Sequence, residues 1–382
     1  MKFTCQAADL LSALRTAQSV TDARPVVQIY ECVLINAKKD GVVITGGNTE
    51  QQVSSVIEAS VNEKGTVAVP LKVLLGYVSA LNGEVNIVSD KHGGIVLKSG
   101  SLKAVVAGQN VDDYTVLKVE SDPVFDADAQ YFSNAISSVS FAIATEQSTV
   151  KRILSSAHVE VDNGGHGTII GMSDRKMGKY DFSVNMISES RVVINIPLAV
   201  IKPLCAVLQG QDRFSVSLDG YVVCVEAGTR TFIFPQVAGN YVEWEKVLTN
   251  VKQDKFARAD VSALTDAIRF SGVSGKNGET FLALLHFSNT DQTLTISSRG
   301  IISDSKAVIR IDYSGEDIDI AFDVRVLQDA VTFCASTGAE DVEIGMSLPS
   351  YTASIRPIGN TDDCLSVIAP VRTQPTGYPQ NA

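Results

Sequence analysis

The residue types that most often carry catalysis or bind metals are present in this sequence, but they are scattered. Four histidines share no spacing typical of metal ligands: His92, His158, His166 and His286. The six cysteines are widely spread and include no Cys-x-x-Cys pair, which argues against a zinc site or a disulfide framework and fits a reducing cytoplasm. Gly272–Lys276 lacks the phosphate-loop pattern, and no Ser/His/Asp or Cys/His arrangement can be singled out. We therefore predict a protein that is not an enzyme and that has no catalytic residue, metal or cofactor.

Lysine and arginine are distributed more regularly, on segments with helical periodicity. Five of six predicted helices carry one of them: Arg15, Lys72, Lys202, Arg269 and Arg325. Such cations can contact the phosphates of a nucleic acid, or they can be ordinary solvated residues of a surface helix. The formal net charge of −11 speaks against nucleic acid, although an acidic exterior can coexist with one basic face. The residues alone leave both interpretations open.

These helices belong to a pattern that occurs three times. A short strand precedes an amphipathic helix around Phe3, around Phe125 and around Phe256, at intervals of 122 and 131 residues. A second strand–helix pair follows each time, and we expect Pro70 and Pro197 to occupy the first helical position in two of them. The predicted helices are Ala8–Val20, Leu71–Leu81, Gln130–Val139, Leu198–Leu208, one containing Val261, Leu264 and Ile268, and Val324–Phe333.

The rest of each repeat consists of short apolar or alternating runs typical of strands, about eight per repeat. The first two repeats end in similar sequence motifs, Val106-Ala107-Gly108 and Val237-Ala238-Gly239. Each motif is followed by an aromatic residue and Val-Leu. No segment is long and uncharged enough to cross a bilayer. We predict an α+β fold of three tandem domains, each with two helices packed on antiparallel sheets. Their predicted boundaries are 1–121, 122–251 and 252–374, followed by a disordered tail over 375–382.

The order of several short motifs resembles the bacterial DNA polymerase III β sliding clamp family, over about residues 1–373. The motifs are Met1-Lys2-Phe3-Thr4, Ala23-Arg24-Pro25, the Val-Pro and Ile-Pro helix starts, Phe141-Ala142 and Ile368–Arg372. The resemblance implies a homodimer that closes head to tail into a six-domain ring, with helices lining the hole and sheets outside. It also implies a processivity factor of the cytoplasm and nucleoid, which encircles double-stranded DNA without sequence preference. Its partners would be the DNA polymerase and clamp-loader subunits, bound through short peptide motifs.

The resemblance assigns roles to two sets of residues. A ring that slides on DNA needs a positive lining without base-specific contacts. The residues expected to contact DNA are Arg15, Arg24, Lys72, Lys151, Arg152, Lys202, Arg269 and Arg325. Asp9, Asp266 and Asp329 on the same helices would keep that contact weak. The positions matching the family's peptide cleft are Leu154, Ser173, Arg175, Gly178, Val242, Lys246, Val247, Val367, Ala369, Pro370, Val371 and Arg372.

Several residues depart from the family's pattern. Arg175 replaces a glycine and Gly178 replaces a cleft-lining leucine, so we expect a reshaped and shallower groove. Ala104 stands where an interfacial phenylalanine is common, and the run Arg299–Lys306 has mixed charge where acidic residues are usual. A specialised clamp paralogue, from a mobile element, a virus or a resistance locus, is therefore an alternative function. A third possibility is a β-rich ligand-binding protein or an unrecognised enzyme, which would need a pocket of convergent polar groups.

Overall fold

The computed structural model describes residues 1–21, 25–249, 251–275, 282–300, 303–359 and 364–372. Within them lie seven α-helices: α1 (Ala7–Val20), α2 (Leu71–Val78), α3 (Ala129–Val139), α4 (Leu198–Leu208), α5 (Trp244–Thr249), α6 (Val261–Ser271) and α7 (Val324–Ser336). Five short 3-10 segments accompany them: Gln28–Glu31, Val111–Asp113, Ser140–Ala142, Arg152–Ser155 and Gly272–Gly275. No helix of this described part is long and apolar enough to span a bilayer.

The strands fall into three groups of nine. The first group is β1 (Lys2–Gln6), β2 (Cys32–Lys38), β3 (Gly41–Gly47), β4 (Gln52–Ile57), β5 (Ser60–Glu63), β6 (Gly65–Pro70), β7 (Glu84–Ser89), β8 (Ile95–Ser99) and β9 (Leu102–Val106). The second is β10 (Pro123–Asp128), β11 (Ser156–Val161), β12 (His166–Met172), β13 (Lys176–Ser183), β14 (Asn185–Met186), β15 (Val192–Pro197), β16 (Arg213–Asp219), β17 (Val222–Ala227) and β18 (Arg230–Pro235). The third is β19 (Lys255–Asp260), β20 (Leu282–Ser288), β21 (Thr293–Arg299), β22 (Asp304–Arg310), β23 (Asp312–Ser314), β24 (Ile318–Asp323), β25 (Asp341–Met346), β26 (Ala353–Ile358) and β27 (Cys364–Ile368).

All three groups have the same antiparallel topology. Counting strands from the first of each group, strands 5-1-7-8-9 form one sheet and strands 4-3-2-6 form the other. Two helices accompany each group: α1 and α2, then α3 and α4, then α6 and α7. We call each such unit a repeat. The α+β class and the threefold repetition predicted from the sequence are confirmed, with nine strands rather than about eight per repeat.

Neighbouring repeats are joined by main-chain pairing at two junctions. At the first junction β18 of the second repeat pairs with β4 of the first, with Phe232 opposite Val53. At the second junction β27 of the third repeat pairs with β13 of the second, with Val367 opposite Met177. In both cases the ninth strand of one repeat adds to the fourth strand of the repeat before it. Each junction thereby joins a five-stranded sheet of one repeat and a four-stranded sheet of its neighbour into one continuous nine-stranded sheet.

The structure corrects the position of one sequence anchor. Phe3 and Phe125 are fully buried and lie opposite Ile87 and Val216, whereas Phe256 is 38% exposed. The equivalent buried residue is Ala257, which lies opposite Ile344. Strand side chains alternate between faces, so a shift of one residue moved the aromatic ring to the solvent face. The first helix of every repeat then begins four residues after its buried anchor.

Helix starts are fixed by two different local devices. The side chains of Asp128, Asp260 and Asp323 accept hydrogen bonds from the first-turn amides of α3, α6 and α7. Pro70 and Pro197 precede α2 and α4, but they occupy the capping position and not the first helical position, because each is the extended last residue of a strand. Predicted helix bounds agree with the structure within a few residues.

The helices pack on the sheets through closely fitted apolar faces. Leu10, Leu14 and Ala17 of α1 are buried in the core, and α1 lies against β3 and β4. At Gly46 of β3 an added Cβ would stand 2.7 Å from the Ala17 Cβ, so a side chain at this position would push the helix from the sheet. Gly76 of α2, in contrast, faces open space.

We predict opposite stability effects for the same substitution at these two glycines. Gly46→Ala should lower the free energy of unfolding by about 1–3 kcal/mol through overpacking. Gly76→Ala should raise it by about 0.5–1 kcal/mol, because glycine in a helix interior loses more backbone entropy on folding. Chemical denaturation of both variants gives the free energy of unfolding from the transition that reports the first repeat. Equal effects of the two substitutions would contradict this account of packing.

Candidate functional site

Six of the helices lie side by side in one row. Contacts between neighbours give the order α2–α1–α4–α3–α7–α6. The row crosses the first junction where α4 meets α1 and the second where α7 meets α3. At the second of these crossings the hydroxyls of Ser138 and Ser336 are 3.0 Å apart. The helices of three repeats therefore form one unbroken layer.

The predicted DNA-contacting cations take up different positions relative to this row. Arg15 on α1, Lys72 on α2 and Lys202 on α4 are exposed, and the first two line one groove between their helices. Arg269 on α6 is exposed and paired with Asp266 at 2.8 Å. Arg325 on α7 is exposed and lies 3.3 Å from Asp323, whose hydrogen bond raises the pKa of the guanidinium.

Two further members of that set are not on the row. Lys151 and Arg152 are exposed, but they lie at the 3-10 segment Arg152–Ser155, immediately before β11. Leu154 of the same segment is buried in an apolar cluster at the second junction, described below. Arg24 lies outside the described residues. The structure thus brings together Arg15, Lys72 and Lys202 with their helices and places Lys151 and Arg152 beside a different site.

An apolar cluster gathers part of the predicted cleft at the second junction. Leu154, Val242, Val247 and Val367 belong to it. We call it the junction cluster; its other members are Ala144, Ile153, Ile170, Met172, Met177, Tyr241, Trp244, Leu248, Val251 and Leu365. Leu154 and Val367 are buried, whereas Val242 and Val247 remain half-buried. A surface of this kind can receive an apolar anchor from another chain.

The outer wall of the junction cluster is α5, a helix that the sequence analysis missed. Trp244, Val247, Leu248 and Val251 are spaced at i, i+3, i+4 and i+7, the signal that could have identified it. The indole nitrogen of Trp244 is buried and has no hydrogen-bond partner among the described residues. Buried donors are normally paired, so this N–H can donate a hydrogen bond to an oxygen of an added ligand.

The segment before α5 is anchored to β11 and β15. The Tyr241 ring stacks on the His158 imidazole, with 4.4 Å between centroids, and burial raises the pKa of the tyrosine phenol. The two ring nitrogens of His158 lie 2.7 Å from Asn195 Oδ1 and 2.7 Å from Glu160 Oε1. The Val237 amide donates to the Asn195 carbonyl at 2.9 Å. These contacts hold the wall of the cluster in place.

The polar positions of the predicted cleft lie around the cluster. Arg175 is exposed and lies 3.8 Å from Asp323, and its carbonyl accepts a hydrogen bond from the Ala369 amide at 2.9 Å. The Val371 amide donates to the Ala321 carbonyl at 2.8 Å, which fixes the chain after β27. The other positions are half-buried Ser173 and Pro370, and exposed Lys246 and Arg372.

Gly178, one of the predicted cleft positions, faces away from the cluster. A Cβ added there would stand 3.0 Å from the Phe141 ring, on the face of β13 opposite the cluster. Met177, one residue earlier, is buried in the cluster and pairs with Val367 across the strands. On this strand the residue that lines the cluster is therefore Met177, one position before the predicted Gly178. Because Met177 fills that place, the loss of an apolar side chain expected from Gly178 does not occur.

The first junction has an equivalent site that is filled by the chain's own side chains. Tyr30 precedes β2 as Leu154 precedes β11, and Tyr114 follows the first of the two similar closing segments as Trp244 follows the second. Both tyrosines are buried, with ring centroids 5.0 Å apart, and burial raises the pKa of Tyr114. Among the described residues, one half-buried apolar side chain, Val111, packs on the cluster at the first junction, whereas eight do so at the second.

Known proteins share this architecture along its whole length. Residues 1–118 match the family model for the DNA polymerase III beta subunit, N-terminal domain. The beta sliding clamp of Chlamydia pneumoniae is 24% identical over 379 residues, which cover 97% of this chain and 99% of the relative. This chain is similar to β sliding clamps over almost its whole length. The beta sliding clamp homolog GriR of Streptomyces muensis is 25% identical over 323 residues, 81% of this chain and 82% of the relative.

The fold agrees closely with solved clamp structures. The DNA polymerase sliding clamp of Bacillus subtilis superposes with a TM-score of 0.90 at 19% identity, covering 98% of this chain and 100% of that one. At such low identity the shared fold, with its repeats and helix row, is what the superposition establishes.

Proposed function

We propose that this chain is a DNA sliding clamp that acts by topology and has no chemistry of its own. Two subunits close into a ring around duplex DNA and tether the replicative polymerase and other partners, which raises the partner's effective concentration at the primer end. The observation that supports this most directly is the unbroken helix row, which carries Arg15, Lys72 and Lys202. Its contacts to phosphate are independent of base sequence.

The rule that joins the repeats also supports a head-to-tail dimer. Each junction uses the ninth strand of one repeat and the fourth strand of another, and this leaves β9 and β22 without such a partner in the described chain. Likewise, α2 and α6 end the helix row. Val105 on β9 and Val308 on β22 are 60% and 56% exposed. A third junction of the same kind, formed between subunits, pairs unlike surfaces and closes into a ring.

The proposed domains follow the repeats, with boundaries at 1–121, 122–251 and 252–374; the tail 375–382 lies outside the described residues. Ala104 is half-buried on β9 between exposed Lys103 and Val105, so the proposed subunit contact uses Val105 in place of a large side chain at 104. Arg299 and Asp304 lie 3.4 Å apart at the other edge, so part of that mixed charge is internally paired.

The junction cluster is the proposed docking site for short peptide motifs of the polymerase, the clamp loader and other clients. Apolar anchors of such peptides would pack on Val242 and Val247, and the rim residues Ser173, Arg175 and Arg372 would contact the peptide backbone or its charges. Lys151, Arg152 and Lys246 extend this rim with positive charge. The protein would act in the cytoplasm, at the nucleoid.

A specialised paralogue with different clients is the second candidate function. The exposed Arg175 at the cleft entrance favours it, because a bulky cation there changes which peptide side chains can fit. GriR, a clamp homolog in name, is among the similar proteins. Both candidates predict a ring on DNA, and they differ in which peptides bind.

The decisive experiment is retention on circular DNA. With a clamp loader and ATP, the protein should remain on a nicked circular plasmid through gel filtration, and cutting the plasmid to a linear form should release it. A ring that encloses DNA can leave only over an end, whereas a protein bound to the DNA surface stays on either form. Equal retention on circular and linear DNA would exclude the proposed function.

A charge at the β9 edge should open the proposed ring. We expect Val105→Asp to convert a dimer of the 40.7 kDa chain into a monomer, because the carboxylate would be desolvated at the subunit contact. Val193→Asp on β15 is the matched control, since Val193 is also exposed on an edge strand but that edge joins no repeats. Analytical ultracentrifugation gives the mass of each variant. A dimeric Val105→Asp variant, or a monomeric control, would rule out this interface.

A charge in the junction cluster should weaken peptide binding. Val242→Asp should raise the Kd of a standard bacterial clamp-binding peptide by about tenfold or more, because the anchor then meets a carboxylate. The single tryptophan of the chain, Trp244, lies in the cluster and reports binding through its emission. Fully exposed Val150 provides the control Val150→Asp, which should bind as the unmodified chain does. If the unmodified chain does not bind this peptide, the paralogue with other clients is favoured.

A further inference from the structure

The charges of the helix row divide it into two contiguous halves. The helices α2, α1 and α4 are neighbours and carry Arg15, Lys72 and Lys202 with one carboxylate, Asp9. We call these three helices the basic half. The helices α3, α7 and α6 are also neighbours and carry two cations, Arg269 and Arg325, with two carboxylates, Asp266 and Asp329. We call these three the acidic half, for the reason that follows.

The residues that precede the helices increase the charge difference between the two halves. In the basic half, the residues that precede the helices are uncharged: Gln6, Pro70 and Pro197. In the acidic half, every helix starts with an aspartate: Asp128, Asp260 and Asp323. Counting helices and caps together, the basic half has three cations and one carboxylate, whereas the acidic half has two cations and five carboxylates.

The cations of the acidic half are also matched with carboxylates. Arg269 lies 2.8 Å from Asp266, and Arg325 lies 3.3 Å from Asp323. Asp329 is in turn paired with Lys176 of β13 at 2.6 Å. Among the described residues, neither Arg15 nor Lys202 has a carboxylate oxygen within 4.0 Å. A phosphate approaching the acidic half would therefore have to compete with carboxylates already in place.

Two grooves of similar size, one in each half, show the same difference in charge. The groove between α1 and α2 has a volume of about 320 Å³ and is lined by Arg15, Gln18 and Lys72 with apolar residues between them. The groove between α3 and α7, also about 320 Å³, is lined by serine hydroxyls, Asn134 and Asp329, without a cation. The side-chain charges thus favour the approach of a polyanion to the basic half of the row over the acidic half.

We propose that duplex DNA contacts the basic half of each subunit only, through Arg15, Lys72 and Lys202, while the acidic half stands away from the phosphates. In a two-subunit ring this places two opposed basic arcs around the hole, separated by two arcs that do not bind. DNA then rests against one arc at a time, off the ring axis. The inference rests on the proposed function and specifies which part of the lining touches the DNA.

The test compares two double variants that remove the same charge. Arg15→Gln with Lys202→Gln takes two positive charges from the basic half, and Arg269→Gln with Arg325→Gln takes two from the acidic half. The affinity for a short fluorescent DNA duplex is measured by anisotropy over a series of KCl concentrations. Each lost phosphate contact should reduce the slope of log K against log salt by roughly 0.9. The first variant should show a smaller slope and about tenfold weaker binding at low salt, while the second keeps the slope of the unmodified protein.

Two further measurements keep the outcome unambiguous. Since Arg325 contacts the capping Asp323, the single variants Lys202→Gln and Arg269→Gln are compared as well, and unfolding curves confirm that all four proteins are folded. Equal salt slopes for the two double variants, or a larger change of slope in the second, would overturn the proposal that DNA contacts only the basic half. Retention of the unmodified protein on circular DNA would still support the clamp function in that case. Failure of the unmodified protein to be retained on circular DNA would overturn both.

Discussion

The pairing of one open sheet edge with another is the constraint on which this molecule depends. Unpaired edge strands expose main-chain donors and acceptors and tend to recruit further strands. Here β18 and β27 satisfy the edges of β4 and β13, and the same two contacts set the angle between successive repeats. The helices follow, because α4 is brought against α1 and α7 against α3 by those strand pairs. The continuous row of helices is thus a consequence of hydrogen bonds on the sheets.

The two candidate surfaces arise from the same arrangement but differ in their physics. The helix row presents scattered, exposed charge, which suits contact with a sliding polyanion because no single geometry is favoured. The junction cluster presents half-buried apolar side chains held by a stack of Tyr241 on His158 and by hydrogen bonds to Asn195. Apolar anchoring in a fixed groove gives selectivity that the row lacks. One surface therefore tolerates motion and the other requires a defined fit.

Much of the fold was predictable because helical periodicity and strand alternation extend over many residues. Helices such as Leu198–Leu208 were predicted to the residue, and the threefold repetition followed from their spacing. The failures involve single residues. Phe256 and Gly178 were each assigned one position away from the residue that faces the core or the cluster, Ala257 and Met177. A match between sequences can be one residue out of register and still look good. In a strand, however, a shift of one residue moves each side chain to the opposite face of the sheet.

The candidate site was less predictable for a related reason. Charges on separate helices become one surface only when the order of the helices is known, and that order, α2–α1–α4–α3–α7–α6, differs from the order along the chain. The short helix α5 was missed because six residues give a weak periodic signal, here close to the predicted domain boundary at residue 251. The burial of Tyr30 and Tyr114 at the first junction could not be inferred from their types, since tyrosine is common both in cores and at surfaces.

The two tyrosines that plug the first junction have a consequence for stoichiometry. Because their rings already occupy the place that α5 leaves accessible one repeat further on, each subunit would offer one peptide site at these two junctions under the proposed function. A ring of two such subunits would then bind two client peptides, so a polymerase and one other client could be bound at the same time, and a third could bind only after one of them dissociates.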